Sequence, residues 1–196
     1  MSDVVLVDEN DHPIGLCEKQ LAHSRGVLHR AISVFIFDAS GQRMLIQQRA
    51  LDKYHSGGLW TNACCSHPAP GETPLAAAHR RLSEELGFDC PLEFAFTFTY
   101  RADVGSSLVE HELDHVFIGR CDAVAKPDSS EIAAADWVPV RELAADVERR
   151  PERYSAWFVI ALARVLATAR EMDLSGWSPD GVWYGSRPGR PGQAQR

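Results

Sequence analysis

The chain has 196 residues, 45% of them hydrophobic and 24% charged, a composition that suits one globular domain with a real core and room for an enclosed pocket. A net charge of −7 argues against nucleic acid as a partner, because no basic stripe exists to release counterions from phosphates. The 5 cysteines are odd in number, with Cys64 and Cys65 adjacent. With no secretory signal at the start and no run near the roughly 20 apolar residues of a membrane span, they point to a reducing, cytoplasmic setting.

Residues 4–7, the polar stretch 8–11 and Ile14-Gly15 read as a short strand, a turn and a second short strand. Residues 31–37 are β-branched and aromatic, Asp38 to Gly41 supply turn residues, and residues 44–47 resume the apolar pattern, which predicts a hairpin. Residues 50–73, rich in Gly, Pro, His and Cys, read as a long functional loop with short strands. Pro74 then opens a helix over residues 75–86 that Gly87 closes. Residues 94–100 and 108–118 alternate like half-buried strands, residues 141–148 form a short polar helix, and residues 155–170 an apolar one. Pro, Gly and Arg dominate from residue 178 on, so one domain over residues 1–178 is expected, with a loosely ordered tail at 179–196. The mixture of strands and a few helices indicates an α/β or α+β fold.

Chemistry gathers in four places. In Thr61-Asn-Ala-Cys-Cys-Ser-His-Pro68, Cys65 and His67 are two residues apart and share one face of an extended segment. A thiol with an ordinary pKa of about 8.5 exchanges protons near neutrality once its surroundings are tuned. A small buried cysteine beside a loop histidine is the plainer reading. In residues 109–115, Glu110 and Glu112 lie on one strand face with Asp114 beyond; they are either an exposed acidic edge or carboxylates that a cation holds together. His23 and His29 with His67 offer three imidazoles, and Glu110 and Glu112 complete five donors, a set suited to Zn²⁺, Mn²⁺ or Fe²⁺.

The fourth place is the helix. Glu72, Arg80, Arg81, Leu82, Glu84, Glu85, Gly87 and Phe88 keep the spacing of the Nudix box, whose carboxylates bind Mg²⁺ and through it a diphosphate. Ser66 stands at the opening glycine, and Arg81 replaces a glutamate that hydrolases use for metal. A degraded box preceded by Thr-Asn-x-x-Cys-x-His-Pro and followed by Glu-x-Glu resembles type 1 isopentenyl-diphosphate Δ-isomerases. Gly58-Leu-Trp60, the pair His23 and His29, and Phe98-Thr-Tyr-Arg101 extend the likeness from about residue 4 to residue 170.

The resemblance implies a Nudix fold, with mixed β-sheet sandwiched between helices and an N-terminal β extension. It also implies interconversion of isopentenyl and dimethylallyl diphosphate. Cys65 matches the catalytic thiol, with Cys64 a bystander, and Glu112 matches the second proton carrier, assisted by Tyr100. His23, His29, His67, Glu110 and Glu112 match a five-ligand site for Mn²⁺ or Zn²⁺, with Mg²⁺ the third candidate. Glu85 and the Cys65 carbonyl match the ligands of a Mg²⁺ that arrives with the substrate diphosphate. Lys19, Arg49, Lys53 and Arg81 match the basic cluster around that diphosphate. Trp157 matches an aromatic wall against a carbocation, and Trp60 is a second candidate for that wall. The rival readings are a Nudix pyrophosphohydrolase of nucleoside diphosphate derivatives and a non-catalytic Nudix-fold binding protein.

Overall fold

The structure, a computed structural model, describes residues 3–172; the tail expected at 179–196 lies outside the described residues. The elements run β1 (Asp3–Val7), β2 (Pro13–Glu18), α1 (Lys19–Arg25), β3 (His29–Phe37), β4 (Arg43–Arg49), β5 (Trp60–Asn62), β6 (Cys64–Ser66), α2 (Pro74–Leu86), β7 (Leu92–Asp103), β8 (Val109–Arg120), β9 (Ile132–Pro139), α3 (Val140–Arg149), a 3₁₀ turn at Pro151–Arg153, and α4 (Ala156–Glu171). Every strand and helix expected from the sequence is present. The reading missed α1, β9 and the 3₁₀ turn.

Strand β3 organises the sheet. It pairs in parallel with β8 over its whole length, from His29 opposite Glu112 to Phe37 opposite Arg120. Its other contacts are antiparallel: with β1 at Leu6 and His29, with β6 at Ser33 and Cys65, and with β4 at Ile36 and Leu45. β7 extends the sheet beyond β8, and β9 pairs with β4.

Both faces of β3 are buried, so its sequence is a continuous apolar run. Alternation sends successive side chains to opposite layers. Phe35 and Phe37 join Met44, Val116 and Ile118 under α3 and α4, where Leu143, Trp157, Phe158 and Leu162 fill the core. Ile32, Val34 and Ile36 join Leu45 and Cys64 under α2, packed on Ala77, Ala78, Leu82 and Leu86. The sheet is therefore sandwiched between helices. Cys64 and Cys65, adjacent in sequence, face opposite layers.

The termini of α2 follow its sequence. Thr73 Oγ1 accepts from the Ala76 amide, Pro74 sits at the first helical position, and Gly87 closes the helix at φ 70°. At Gly87 a Cβ would meet the Lys126 side chain at 2.9 Å, so close packing and positive φ together require glycine.

The β3–β4 turn is held by one buried carboxylate. Asp38 Oδ1 accepts from the Gln42 and Arg43 amides at 2.8 and 3.1 Å, and Oδ2 from Arg43 Nε at 2.9 Å. Burial works against the charge, but the hydrogen bonds from Arg43, Ser40 and Gln42 outweigh it and lower the carboxyl below its ordinary 3.8. A depressed native pKa gives stability that is complete above the unfolded value and is lost as pH falls through the native one. Asp38→Ala should therefore cost about 1–3 kcal/mol in urea unfolding at pH 7. The gap from the unsubstituted protein should narrow as pH is taken below 3.8. A gap that stays constant there would mean the carboxylate charge contributes nothing.

Candidate active site

The β3–β8 register sets the site. Tyr100 on β7, Glu112 on β8 and His29 on β3 are cross-strand neighbours in one row. On the same face, Ser33 lies opposite Cys65 of β6, and His67 follows directly behind. Glu110, Glu112 and Asp114 occupy alternate positions of β8 and all are buried, so the reading of an exposed acidic edge is overturned.

Helix α1 delivers His23 to this face. Its cap is Glu18, whose carboxylate accepts from the Gln20 and Leu21 amides at 3.0 and 2.8 Å, and Gly26 ends it in a left-handed turn. His23 Nδ1 lies 2.6 Å from the Lys19 carbonyl, and His29 Nδ1 lies 2.9 Å from that of Val27. A carbonyl accepts only from a protonated nitrogen, so Nδ1 is the donor in both rings and Nε2 is turned inward, the orientation of metal-binding imidazoles.

His29 Nε2 and His67 Nε2 are 3.2 Å apart, and Glu112 Oε1 lies 3.5 Å from the first and 2.9 Å from the second. The donor atoms of His23, His29, His67 and Glu112 lie within 4.8 Å of one another. Burial and the nearby Lys19 charge pull His67 down to about 4, so its imidazole is neutral at physiological pH. On Glu112, burial opposes the charge, but hydrogen bonding to His29 and His67 holds the carboxyl well below its usual range.

His23 Nε2 and Glu110 Oε2 face each other at 3.1 Å, yet both are buried without a hydrogen-bond partner. Unpartnered atoms at this depth are costly, and a divalent cation would satisfy both. The residues present thus fit a metal. The five expected donors do not form one equal set, however. Glu110 groups with His23 and with His55, which the sequence reading missed. His55 is buried, and its Nε2 lies 3.0 Å from Glu110 Oε1. The only signal for it was a histidine next to Gly57-Gly58 in a loop already marked as functional.

Tyr100 donates its hydroxyl to Glu112 Oε2 at 2.5 Å. Cys65 Sγ lies 2.8 Å from Asn62 Oδ1 and accepts from the Trp157 indole N–H at 2.8 Å. Burial, reinforced by the charge of Asp114, pushes the thiol far above its ordinary value, so it is protonated at neutral pH. Cys64 is sealed beneath α2. Arg49 stacks over the Trp157 ring at 5.3 Å. Trp60, the second candidate for the aromatic wall, packs against the main core and lines a separate cavity beside α3, so it is not part of this site.

Cys65, His67, Glu110, Glu112, Arg49 and Trp157 line an inner cavity of about 30 Å³. Lys19, Ser66 and His67 also border a second cavity of about 430 Å³, which reaches Arg80, Arg81 and Glu131. The expected basic cluster is thus divided. Arg49 lies inside, Lys19 at the junction, and Arg81 outside, while Lys53 pairs with Glu131. Glu85 is buried between Gln47 and Arg81, whose guanidinium reaches Glu85 Oε1 at 2.6 Å.

The model of the NUDIX domain matches residues 27–158. The chain is 52% identical over 165 residues to "Isopentenyl-diphosphate Delta-isomerase" of Pectobacterium atrosepticum, covering 84% of this chain and 92% of that one. It is 47% identical over 177 residues to the protein of the same name from Streptomyces griseus, covering 88% of each. The chain belongs to the isopentenyl-diphosphate Delta-isomerase family. Solved structures agree on the fold. A Deinococcus radiodurans chain superposes with a TM-score of 0.68 at 18% identity, covering 83% of this chain and 98% of that one. A MutT protein from Methanosarcina mazei gives 0.59 at 18% identity, covering 74% and 94%.

Within this isomerase family site, His55 is expected to orient Glu110 by occupying Oε1 and leaving Oε2 for a cation. His55→Ala should weaken Mn²⁺ or Zn²⁺ binding about 10- to 100-fold in chelator competition. His79→Ala, at the half-exposed pair with Asp89, should leave it unchanged. Equal affinities for both variants would remove His55 from the site.

Proposed function

We propose that the chain interconverts isopentenyl and dimethylallyl diphosphate by moving one proton onto the carbon skeleton and another off it, between Cys65 and the Glu112–Tyr100 pair. The observation that carries this reading is that a protonated thiol and an ionised, hydrogen-bonded carboxylate line one small cavity. The relatives named above are isomerases by name, and their identity of about half extends over most of both chains.

The substrate alkene is unactivated, so a proton must be delivered to its terminal carbon, leaving a tertiary cation at the neighbouring one. Removing a proton from the carbon on the other side of that cation gives the isomer. One group donates and one accepts, and reversal of the reaction exchanges their roles. Cys65 and Glu112 take these two parts, and Tyr100 passes or steadies the proton on Glu112.

A divalent cation held by His23, His29, His67, Glu110 and Glu112 would keep Glu112 ionised and aimed. Mn²⁺ and Zn²⁺ both suit this mixed donor set, with Mg²⁺ less favoured by the imidazoles. Trp157 presents its ring to the cavity, where a desolvated cation–π contact supplies about 2 kcal/mol or more. Its N–H also fixes the Cys65 sulfur. The surrounding buried side chains keep out water, which would trap the cation as an alcohol.

Glu85 and the Cys65 carbonyl would hold Mg²⁺ with the diphosphate, while Lys19, Arg49, Lys53 and Arg81 neutralise its oxygens. Anchoring the anionic end places the short hydrocarbon between the two proton carriers. Unpaired thiols at all of Cys17, Cys64, Cys65, Cys90 and Cys121 support a cytoplasmic setting. Among the described residues, no helix is long and apolar enough to cross a membrane.

The test is proton NMR of isopentenyl diphosphate with the metal-loaded protein and Mg²⁺ in D₂O. Dimethylallyl diphosphate carrying deuterium should appear. Cys65→Ala and Glu112→Gln should each lower the rate by roughly 10²–10⁴-fold. Unchanged isopentenyl diphosphate from folded, metal-loaded protein would sink the reading, and inorganic phosphate release from nucleotide substrates would then favour the hydrolase.

A further inference from the structure

Glu131 belongs to no motif and was not a candidate from sequence, yet it stands where two of the expected diphosphate-binding cations meet. Its carboxylate pairs with Lys53 through Oε2, and its Oε1 lies 3.7 Å from Arg81. Arg81 is also held by Glu84 at 2.7 Å and Glu85 at 2.6 Å. In the protein alone, therefore, neither cation faces solvent as a free charge. Both are already occupied by carboxylates at the edge of the outer cavity.

The backbone shows that this placement is built. The Asp128 amide donates to the Glu85 carbonyl at 2.8 Å and the Lys126 amide to that of Leu86 at 2.7 Å, which docks the segment ahead of β9 onto the end of α2. The Ala50 amide donates to the Glu131 carbonyl at 3.0 Å, and the Lys53 amide to the Ala50 carbonyl at 3.3 Å. Glu131 thus ties the helix that carries Arg81 to the loop that carries Lys53. Its side chain is only 31% exposed, while its position at the cavity rim lets the carboxylate turn to water.

We propose that Glu131 is a displaceable counter-anion of the diphosphate site: it holds Lys53 and Arg81 in place while the site is empty, yields them to the diphosphate, and reclaims them when product leaves. This deepens the isomerase reading and rests on it. Substrate and product carry the same diphosphate, so the cluster gains nothing from binding that group as tightly as possible. An internal carboxylate that competes for the same cations weakens the anchor in both directions. It also spares Lys53 the loss of side-chain order in the empty site. The exchange is balanced, because each cation trades one anionic oxygen for another. Glu85 stays with Mg²⁺ and Glu84 with Arg81 in this scheme, which leaves Glu131, the carboxylate that Lys53 and Arg81 share, to withdraw.

The probe is inorganic diphosphate with Mg²⁺, titrated calorimetrically into the metal-loaded protein, alongside KM for isopentenyl diphosphate. Glu131→Gln removes the competing charge and should tighten diphosphate binding about three- to tenfold, the scale of two partly exposed ion pairs. KM should fall with it. Glu131→Asp keeps the charge and should bind close to the unsubstituted protein. A purely structural role predicts weaker binding in Glu131→Gln, as does direct ligation of Mg²⁺, so weaker or unchanged affinity overturns the proposal. Failure of the unsubstituted protein to bind diphosphate with Mg²⁺ would instead overturn the reading of the diphosphate site itself.

Discussion

The site rests on one electrostatic constraint: Glu110, Glu112 and Asp114 are buried on a single face of β8. Taking an ion out of water costs several kcal/mol, and like charges side by side add to that cost. Hydrogen bonds from Tyr100 and Ser33 answer part of it on Glu112 and Asp114. The remainder converges on His23, His29 and His67, which with Glu112 make a set that a divalent cation would complete. The parallel register of β3 with β8 makes the convergence possible. A slip of one residue would turn His29 and Ser33 away from the carboxylates and into the layer under α2.

The apolar layers carry this polar row. On β8 the carboxylates give way within two residues to Val116 and Ile118, which belong to the core under α4. On β3, Ser33 is followed on the same face by Phe35. The site is therefore the polar end of a continuous core. Trp157 sits at the boundary, in contact with Cys65 on one side and Arg49 on the other.

Much of this was legible in the residues, and the failures have physical causes. Strand β3 and helix α2 announced themselves by alternation and by Pro74 with Gly87. The spacing of Glu110 with Glu112, and of Cys65 with His67, placed each pair on a shared face. Sequence spacing could not show that the carboxylates are buried, because burial depends on which strand pairs with β8. Helix α1 was missed because its cap is a glutamate, an uncommon capping residue, and because its seven residues are too few for a periodic signal. Strand β9 was missed because Ala133-Ala134-Ala135 has little β propensity; pairing with β4 decides its conformation. His55 and Glu131 were invisible for the same reason as each other. Each acts through a partner far away in sequence, Glu110 for one and Lys53 with Arg81 for the other.

Arg81, standing where the Nudix box has a carboxylate, changes what α2 can offer a ligand. A hydrolase needs carboxylates there to gather metal ions and direct water at phosphorus. Here Arg81 is clamped by Glu84, Glu85 and Glu131, which removes one carboxylate from the helix and occupies others. A cation at that position favours holding a phosphate over attacking it. In the mechanism proposed above, the proton transfers fall to the opposite layer, where β6, β7 and β8 carry Cys65, Tyr100 and Glu112. The two layers divide the labour because they face opposite sides of the sheet at Cys64 and Cys65. Cys64 is sealed under α2, and its neighbour Cys65 opens into the inner cavity.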